Sequence, residues 1–320
     1  MANNELRITM LGPRGVGKTT LLASMYSEFD NMVKNINLTL TPSQATSSSL
    51  QQRLAELKSQ TEIFSATGGI DGTNTPKNFD FELGMIGKKP ELKLIFNDFP
   101  GGYIHDNPAQ VQKYIDESDV IMLVIDTPAV MEEKGIWHER INAPQTITDL
   151  FKRVTQNLTK TKLILLVPVK CESYLQTDRE AREMLTRLKN SYDTLLNLLK
   201  SDHLLNQIAV AFTPVQTLGV VRFARIEMMS QGEPRFFFRK ISPNAVYDPQ
   251  DVDQILRYTL GFSIKKYLDD MPTLTKWFKS IFNMTKPFED AIRKLAGGER
   301  KETKGGFEIL QGHDLLNIKH

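Results

Sequence analysis

A single cysteine, Cys171, stands in 320 residues, so the chain cannot close a disulfide on itself. Five histidines lie far apart, without the spacing that metal sites require. Long apolar runs are missing as well. The longest, Val120 to Ile125 and Leu163 to Val169, are strand-sized, far short of the ~20 residues that cross a bilayer. Charge of one sign is not in excess: 40 basic and 38 acidic side chains leave a net +2, which argues against a dedicated polyanion binder. The opening residues, Met1 to Glu5, carry neither a basic stretch followed by an apolar core nor a glycine at position 2. These absences predict a soluble protein of a reducing, cytoplasmic compartment, with no nucleic acid among its partners and a membrane the least expected of them. No internal repeat is present.

What the sequence does have is a glycine-rich loop in a telling place. Gly12 to Thr19 reads G-P-R-G-V-G-K-T, directly after the apolar run Leu6 to Leu11 and before a stretch that spaces Leu22, Met25 and Phe29 on one helical face. This strand, loop and helix order is the setting of a phosphate-binding loop. Gly15 and Gly17 let the backbone curl so that successive N–H groups, including those around Val16 and Thr20, point at phosphate oxygens. Lys18 supplies a mobile positive charge for the outer phosphates, and Thr19 a hydroxyl for Mg²⁺.

Apolar strand candidates recur at Leu6 to Leu11, Leu92 to Asn97, Val120 to Ile125, Leu163 to Val169 and Ile208 to Phe212, with helical patterns between most of them. That alternation predicts an α/β fold of three layers, a mainly parallel sheet covered by helices on both faces. Phe79, Phe81, Leu83 and Met85 alternate with polar residues, and Gly87 to Pro90 separates them from the next run, which predicts a hairpin and one antiparallel strand. The expected division is a nucleotide-binding domain over 1–270, with insertions near 35–75 and 219–241. An amphipathic helical extension over 271–298 and a flexible tail over 299–320 follow it. In the extension Trp277, Phe278, Ile281 and Phe282, then Phe288, Ile292 and Leu295, form apolar stripes, which suit packing on the chain's own domain, a protein partner, or, least of all, a membrane surface.

Three further segments separate nucleotide classes. Asp98 to Gly102 reads D-F-P-G-G after a strand: Asp98 can hold Mg²⁺ through a water, and the Gly101 N–H can reach a γ-phosphate. Phe99 stands where many ATPases place a water-activating Glu. After Val169 come Lys170, Cys171 and Glu172; the Glu172 carboxylate can accept from the guanine ring N–H and amino group, and the Lys170 stem can cover the base. In Thr213 to Gln216, Pro214 has no N–H, which makes Val215 the expected donor to the guanine carbonyl.

Taken in order, Gly12 to Thr19, Thr73, Asp98 to Gly101, and Lys170 with Glu172 resemble the G1 to G4 motifs of the translation-factor-related class of P-loop GTPases. The likeness is nearest to divergent bacterial GTPases of conflict or defence systems. The fourth element departs in two of its three defining residues. The resemblance implies a P-loop NTPase fold, GTP as ligand, Mg²⁺ held by Thr19, Thr73 and Asp98, and slow hydrolysis that a protein partner accelerates. Thr75 rivals Thr73. Arg14 stands where small GTPases have glycine, as an internal arginine finger or as a solvated loop residue, and Gly102 replaces the glutamine that orients water in Ras-like members. An ATP-binding protein and a nucleotide-bound scaffold with negligible turnover remain the alternatives.

Overall fold

The computed structural model describes residues 4–62, 64–68, 75–156, 158–229, 232–269 and 284–317. β1 (Glu5–Leu11) runs through the glycine loop into α1 (Lys18–Met32), and the first insertion follows as β2 (Leu38–Pro42), α2 (Gln44–Gln60) and β3 (Thr67–Gly68). β4 (Lys77–Met85) and β5 (Leu92–Asp98) form the expected hairpin. Its turn holds Gly87 at φ 73°, a left-handed value that glycine adopts without strain. Next come α3 (Tyr103–Asp106), α4 (Pro108–Glu117), β6 (Val120–Asp126), α5 (Thr127–Met131), α6 (His138–Asn142) and α7 (Pro144–Gln156). β7 (Lys162–Val169), α8 (Asp178–Ser191), α9 (Asp193–Leu199) and β8 (Ile208–Phe212) continue the alternation. The second insertion is a hairpin of β9 (Val221–Met228) and β10 (Pro234–Lys240). It is followed by α10 (Asp253–Asp269), α11 (Lys286–Gly297), β11 (Glu308–Gln311) and α12 (His313–Leu316).

Eight strands make one sheet in the order β11-β8-β7-β6-β1-β5-β4-β2. β1, β5, β6, β7 and β8 are parallel, and β4 is the expected reversed strand. Successive side chains of a strand point to opposite faces. Accordingly Met122 and Val124 enter one core, with α1, α10 and α11, while Ile121, Leu123 and Ile125 enter the other, with α4, α7, α8 and α9. The three layers follow from that period of two, because β6, β7 and β8 are apolar on both faces.

Residues 254–262 of α10 are all buried, since the helix lies between the sheet and α11, and Ile255, Leu256, Tyr258, Leu260, Phe262 and Ile264 join the core. Its buried Arg257 donates to the carbonyls of Leu295 (2.6 Å) and Gly298 (2.7 Å), satisfying acceptors that the end of α11 leaves open. Phe288, Ile292 and Leu295 of α11 are fully buried, so that half of the apolar stripe packs on the chain's own core. The other half, with Trp277, Phe278, Ile281 and Phe282, lies outside the described residues. Among the described residues no helix is long and apolar enough to cross a membrane.

The expectation of a flexible tail from residue 299 is corrected. β11 pairs antiparallel with β8 and adds a second reversed strand at the far edge of the sheet. Phe307 (2% exposed) and Leu316 (0%) are buried, each contributing roughly 1.5–3 kcal/mol to docking. Gln311 donates to the carbonyls of Leu199 (3.0 Å) and Ile208 (2.9 Å), and the Tyr258 hydroxyl to that of Lys301 (2.8 Å). A polar, glycine-bearing segment is thus held by a few anchors whose partners are distant in sequence.

Candidate functional site

The site gathers at the C-terminal ends of β1, β5, β6 and β7. The glycine loop leaves β1 with Gly12, Gly15 and Gly17 at φ 150°, 81° and 113°, values that side-chain-bearing residues rarely adopt. At Gly12 space is closed as well: a Cβ would stand 2.8 Å from the Val124 carbonyl oxygen. Gly17 caps α1, so the loop ends on the first turn of a helix, where N–H groups have no intrahelical acceptor. Val16 is buried and pins the loop to the core.

Lys18 is buried to 6% exposure, and its ammonium donates to the carbonyls of Gly12 (2.8 Å) and Pro13 (3.3 Å) on the loop itself. Burial lowers its pKa, with Asp98 opposing that shift. The Thr19 hydroxyl donates to Asp98 Oδ2 at 2.5 Å. Asp98 is itself buried, and burial raises its carboxyl above the usual range against the pull of Lys18, Thr19, Arg53 and Lys77. Its second oxygen, Oδ1, is buried with no hydrogen-bond partner. Lysine, threonine and aspartate therefore converge beside the glycine loop.

Gly101 lies directly on the phosphate loop: a Cβ built there would be 1.8 Å from the Arg14 nitrogen and 2.1 Å from the Pro13 carbonyl carbon. Phe99 is not a failed catalytic position but a core residue, buried and stacked on Tyr114 with ring centroids 5.8 Å apart. Arg14 is exposed on the loop. Thr73 lies outside the described residues; Thr75 is exposed two positions before Lys77, which is the register partner of Asp98 across β4 and β5.

Beside the loop opens a cavity of ≈ 80 Å³. Gly15, Gly17 and Thr20 border it, as do Lys170 and Glu172. Lys170 takes a left-handed conformation (φ 60°) and forms an ion pair with buried Asp126. Asp126 also accepts the Ala129 N–H at 3.2 Å, capping α5, and its backbone exchanges two hydrogen bonds with the Asn142 amide (2.8 and 3.0 Å). Glu172 is buried, which raises its pKa, and its Oε1 accepts the N–H groups of Leu218 (3.0 Å) and Gly219 (3.2 Å). That carboxylate fastens the 217–219 loop over the cavity.

Val215 is the correction at this end. Its N–H donates to the Pro168 carbonyl at 2.9 Å, its carbonyl accepts from Cys171, and its side chain is fully buried. Parallel continuation of β7 and β8 uses the donor that sequence reasoning reserved for a ligand. Thr217 and Leu218, two and three residues on, border the cavity instead.

Several site residues escaped sequence reasoning. α2 places Ser49, Arg53, Leu57 and Gln60 at helical spacing on one face. Leu57 and Gln60 border the cavity, and Ser49 accepts a hydrogen bond from Lys77 at 3.1 Å. Arg53, with 15% of its side chain exposed, lies between them. Phe238 reaches the cavity from the second insertion, and Asp126 holds Lys170 from beneath. The Asp-Thr-Pro sequence at 126–128 is a helix-cap signal that marks Asp126; Arg53 and Phe238 carry no local sign of their placement.

Among solved structures the chain is similar to the crystal structure of the S. cerevisiae Ski7 GTPase-like domain bound to GTP, at 19% identity and a TM-score of 0.38 over 67% of this chain and 43% of that one. It is similar also to an oligomerised bacterial dynamin pair described as a mechanism for long-range sensing and tethering of membranes, at 15% identity and a TM-score of 0.33, over 68% and 40% of the two chains. The chain thus spans less than half the length of each. No curated protein matches it. The profile of the family described as Double-GTPase 2 matches residues 6–211, from β1 into β8, and takes in the glycine loop, Asp98 to Gly101, and Lys170 with Glu172. With its phosphate loop, its Thr19–Asp98 pair and its strand order, this chain belongs to the Double-GTPase 2 family of GTP-binding proteins.

Proposed function

We propose that the protein hydrolyses GTP in a Mg²⁺-dependent reaction and works as a conformational switch for a protein partner. The observation that carries this reading is the grouping of buried Lys18 and Asp98 with half-buried Thr19 at a loop that Gly101 touches. An unpartnered buried carboxylate oxygen beside a threonine hydroxyl makes a hard, all-oxygen donor set that fits Mg²⁺. Thr19 and Asp98 would hold the ion, with Thr73 or Thr75 as a further ligand, and it would neutralise charge on the phosphate oxygens. The loop amides and Lys18 bind the triphosphate, while the Gly101 N–H faces its outer end and lets go once the terminal phosphate leaves.

Phosphoryl transfer needs positive charge at the transferred group more than it needs covalent chemistry. Arg53, Lys77 and Arg14 are cations near the site, and the planar fork of arginine suits phosphate oxygens best. The field of Arg53 acts on Asp98, and its side chain is held mostly out of solvent, whereas Arg14 is exposed. Gly102 offers no side chain to orient water, so intrinsic turnover is slow. Phosphate release by the purified protein tests this: Arg53→Ala is expected to slow turnover at least tenfold with GTP affinity within threefold of wild type, and Arg14→Ala to slow it less. Wild-type turnover in both variants would contradict the assignment.

A second reading, ATP as ligand, is favoured by one observation only. The backbone donor at Val215 is already committed, and one oxygen of Glu172 serves its own loop, which leaves fewer groups to read guanine.

A further inference from the structure

The two insertions meet over the nucleotide cavity. β3 pairs with β10 and β10 with β9 in a separate three-stranded sheet, with Thr67 opposite Phe238 and Gly68 opposite Phe237. Thr67, Gly68 and Phe238 all border the same cavity as Gly15 and Gly17 of the phosphate loop. The closeness of the two segments is enforced at Gly68, where a Cβ would collide with the Arg235 guanidinium at 2.2 Å. Residues separated by some 170 positions are thus sewn together beside the phosphate loop.

Alternation along β10 gives its aromatic residues different tasks. Phe237 faces away from the cavity, its ring between the guanidinium groups of Arg225 (4.6 Å to the centroid) and Arg235 (5.9 Å). Phe238 turns the other way. The Lys170 ammonium stands 5.7 Å from its centroid, and Phe223 meets it edge-on at 80° and 6.3 Å, which fixes the plane of the ring. Leu57, Val169, Leu218 and Val221 make the neighbouring surface apolar. A flat aromatic wall with apolar surroundings next to a phosphate loop suits one part of a nucleotide, the purine ring, since every base has a π-face that stacks on an aromatic side chain.

Resting on the nucleotide-binding reading above, the geometry points to Phe238 as a nucleobase-contacting residue: the inserted hairpin supplies the wall against which the purine of the bound nucleotide packs. The contact is with the base alone. Phosphate binding by Lys18 and the loop amides does not depend on it.

Inorganic tripolyphosphate is the probe that separates the two, because it carries the phosphate charge without a base. Affinities for GTP and for tripolyphosphate, each measured in the wild type, Phe238→Ala, Phe238→Trp and Phe237→Ala, form the test. Phe238→Ala is expected to weaken GTP at least tenfold while tripolyphosphate stays within twofold. Phe238→Trp is expected to keep GTP within threefold, and Phe237→Ala to leave both ligands unchanged. The assignment is overturned by wild-type GTP affinity in Phe238→Ala, by equal losses for both ligands, or by an equal GTP loss in Phe237→Ala. A wild-type protein that binds tripolyphosphate as tightly as GTP overturns the base wall but keeps the phosphate loop. Binding of neither removes the proposed function itself.

Discussion

Lys18→Ala is expected to lose triphosphate binding while the protein stays folded. The Lys18 ammonium is buried, and its hydrogen bonds go to the carbonyls of Gly12 and Pro13. Burial lowers its pKa against the pull of Asp98, so an added anion at the ammonium would favour its charged form. Phosphate oxygens supply that anion. Removing one partner from a buried, charge-assisted contact costs on the order of 2–5 kcal/mol, which is roughly 30-fold to several thousand-fold in affinity. Stability should change far less, because removing a desolvated charge offsets the two lost hydrogen bonds. Titration calorimetry with GTP and a thermal melt of the same variant check both halves. GTP affinity within threefold of wild type would show that Lys18 is a structural lysine.

The second large effect belongs to Gly101→Ala. The contact between Gly101 and the Pro13–Arg14 backbone leaves no room for a methyl group, and backbone atoms cannot rotate aside as a side chain would. The segment after β5 must then lift off the phosphate loop. A donor to the reacting phosphate is displaced, and the loss of one such donor lowers turnover by about 10²–10³-fold. GDP, which does not use that position, should bind within threefold of wild type. Single-turnover phosphate release and GDP titration measure the two quantities. Near-normal hydrolysis in this variant would mean that Gly101 packs but does not participate.

What the sequence revealed, and what it hid, follows from the range over which each interaction acts. The glycine loop was legible because its chemistry is local: Gly15 and Gly17 are needed for their own φ, and Lys18 and Thr19 sit on the helix that the loop begins. Strand positions and the reversed β4 were legible because a period of two and a short turn act over a few residues. β11 was hidden, since four residues make a strand only when β8 lies beside them. Val215 misled because availability of an N–H depends on the neighbouring Pro168 carbonyl. Glu172 borders the cavity, yet its tie to Leu218 and Gly219 spans more than forty residues. Arg53, Asp126 and Phe238 enter the site from three separate segments, one of them reaching it only through the pairing of β3 with β10.

The centre of the proposed function is a loop whose amides and lysine would grip the phosphates of a guanine nucleotide. Calorimetric titration of the wild-type protein with GTP in the presence of Mg²⁺, with ATP as competitor, tests that point most directly. Saturable binding at one site, weakened at least tenfold when Mg²⁺ is withdrawn and displaced by GTP in preference to ATP, is the expected result. Absence of binding to either nucleotide would contradict the account.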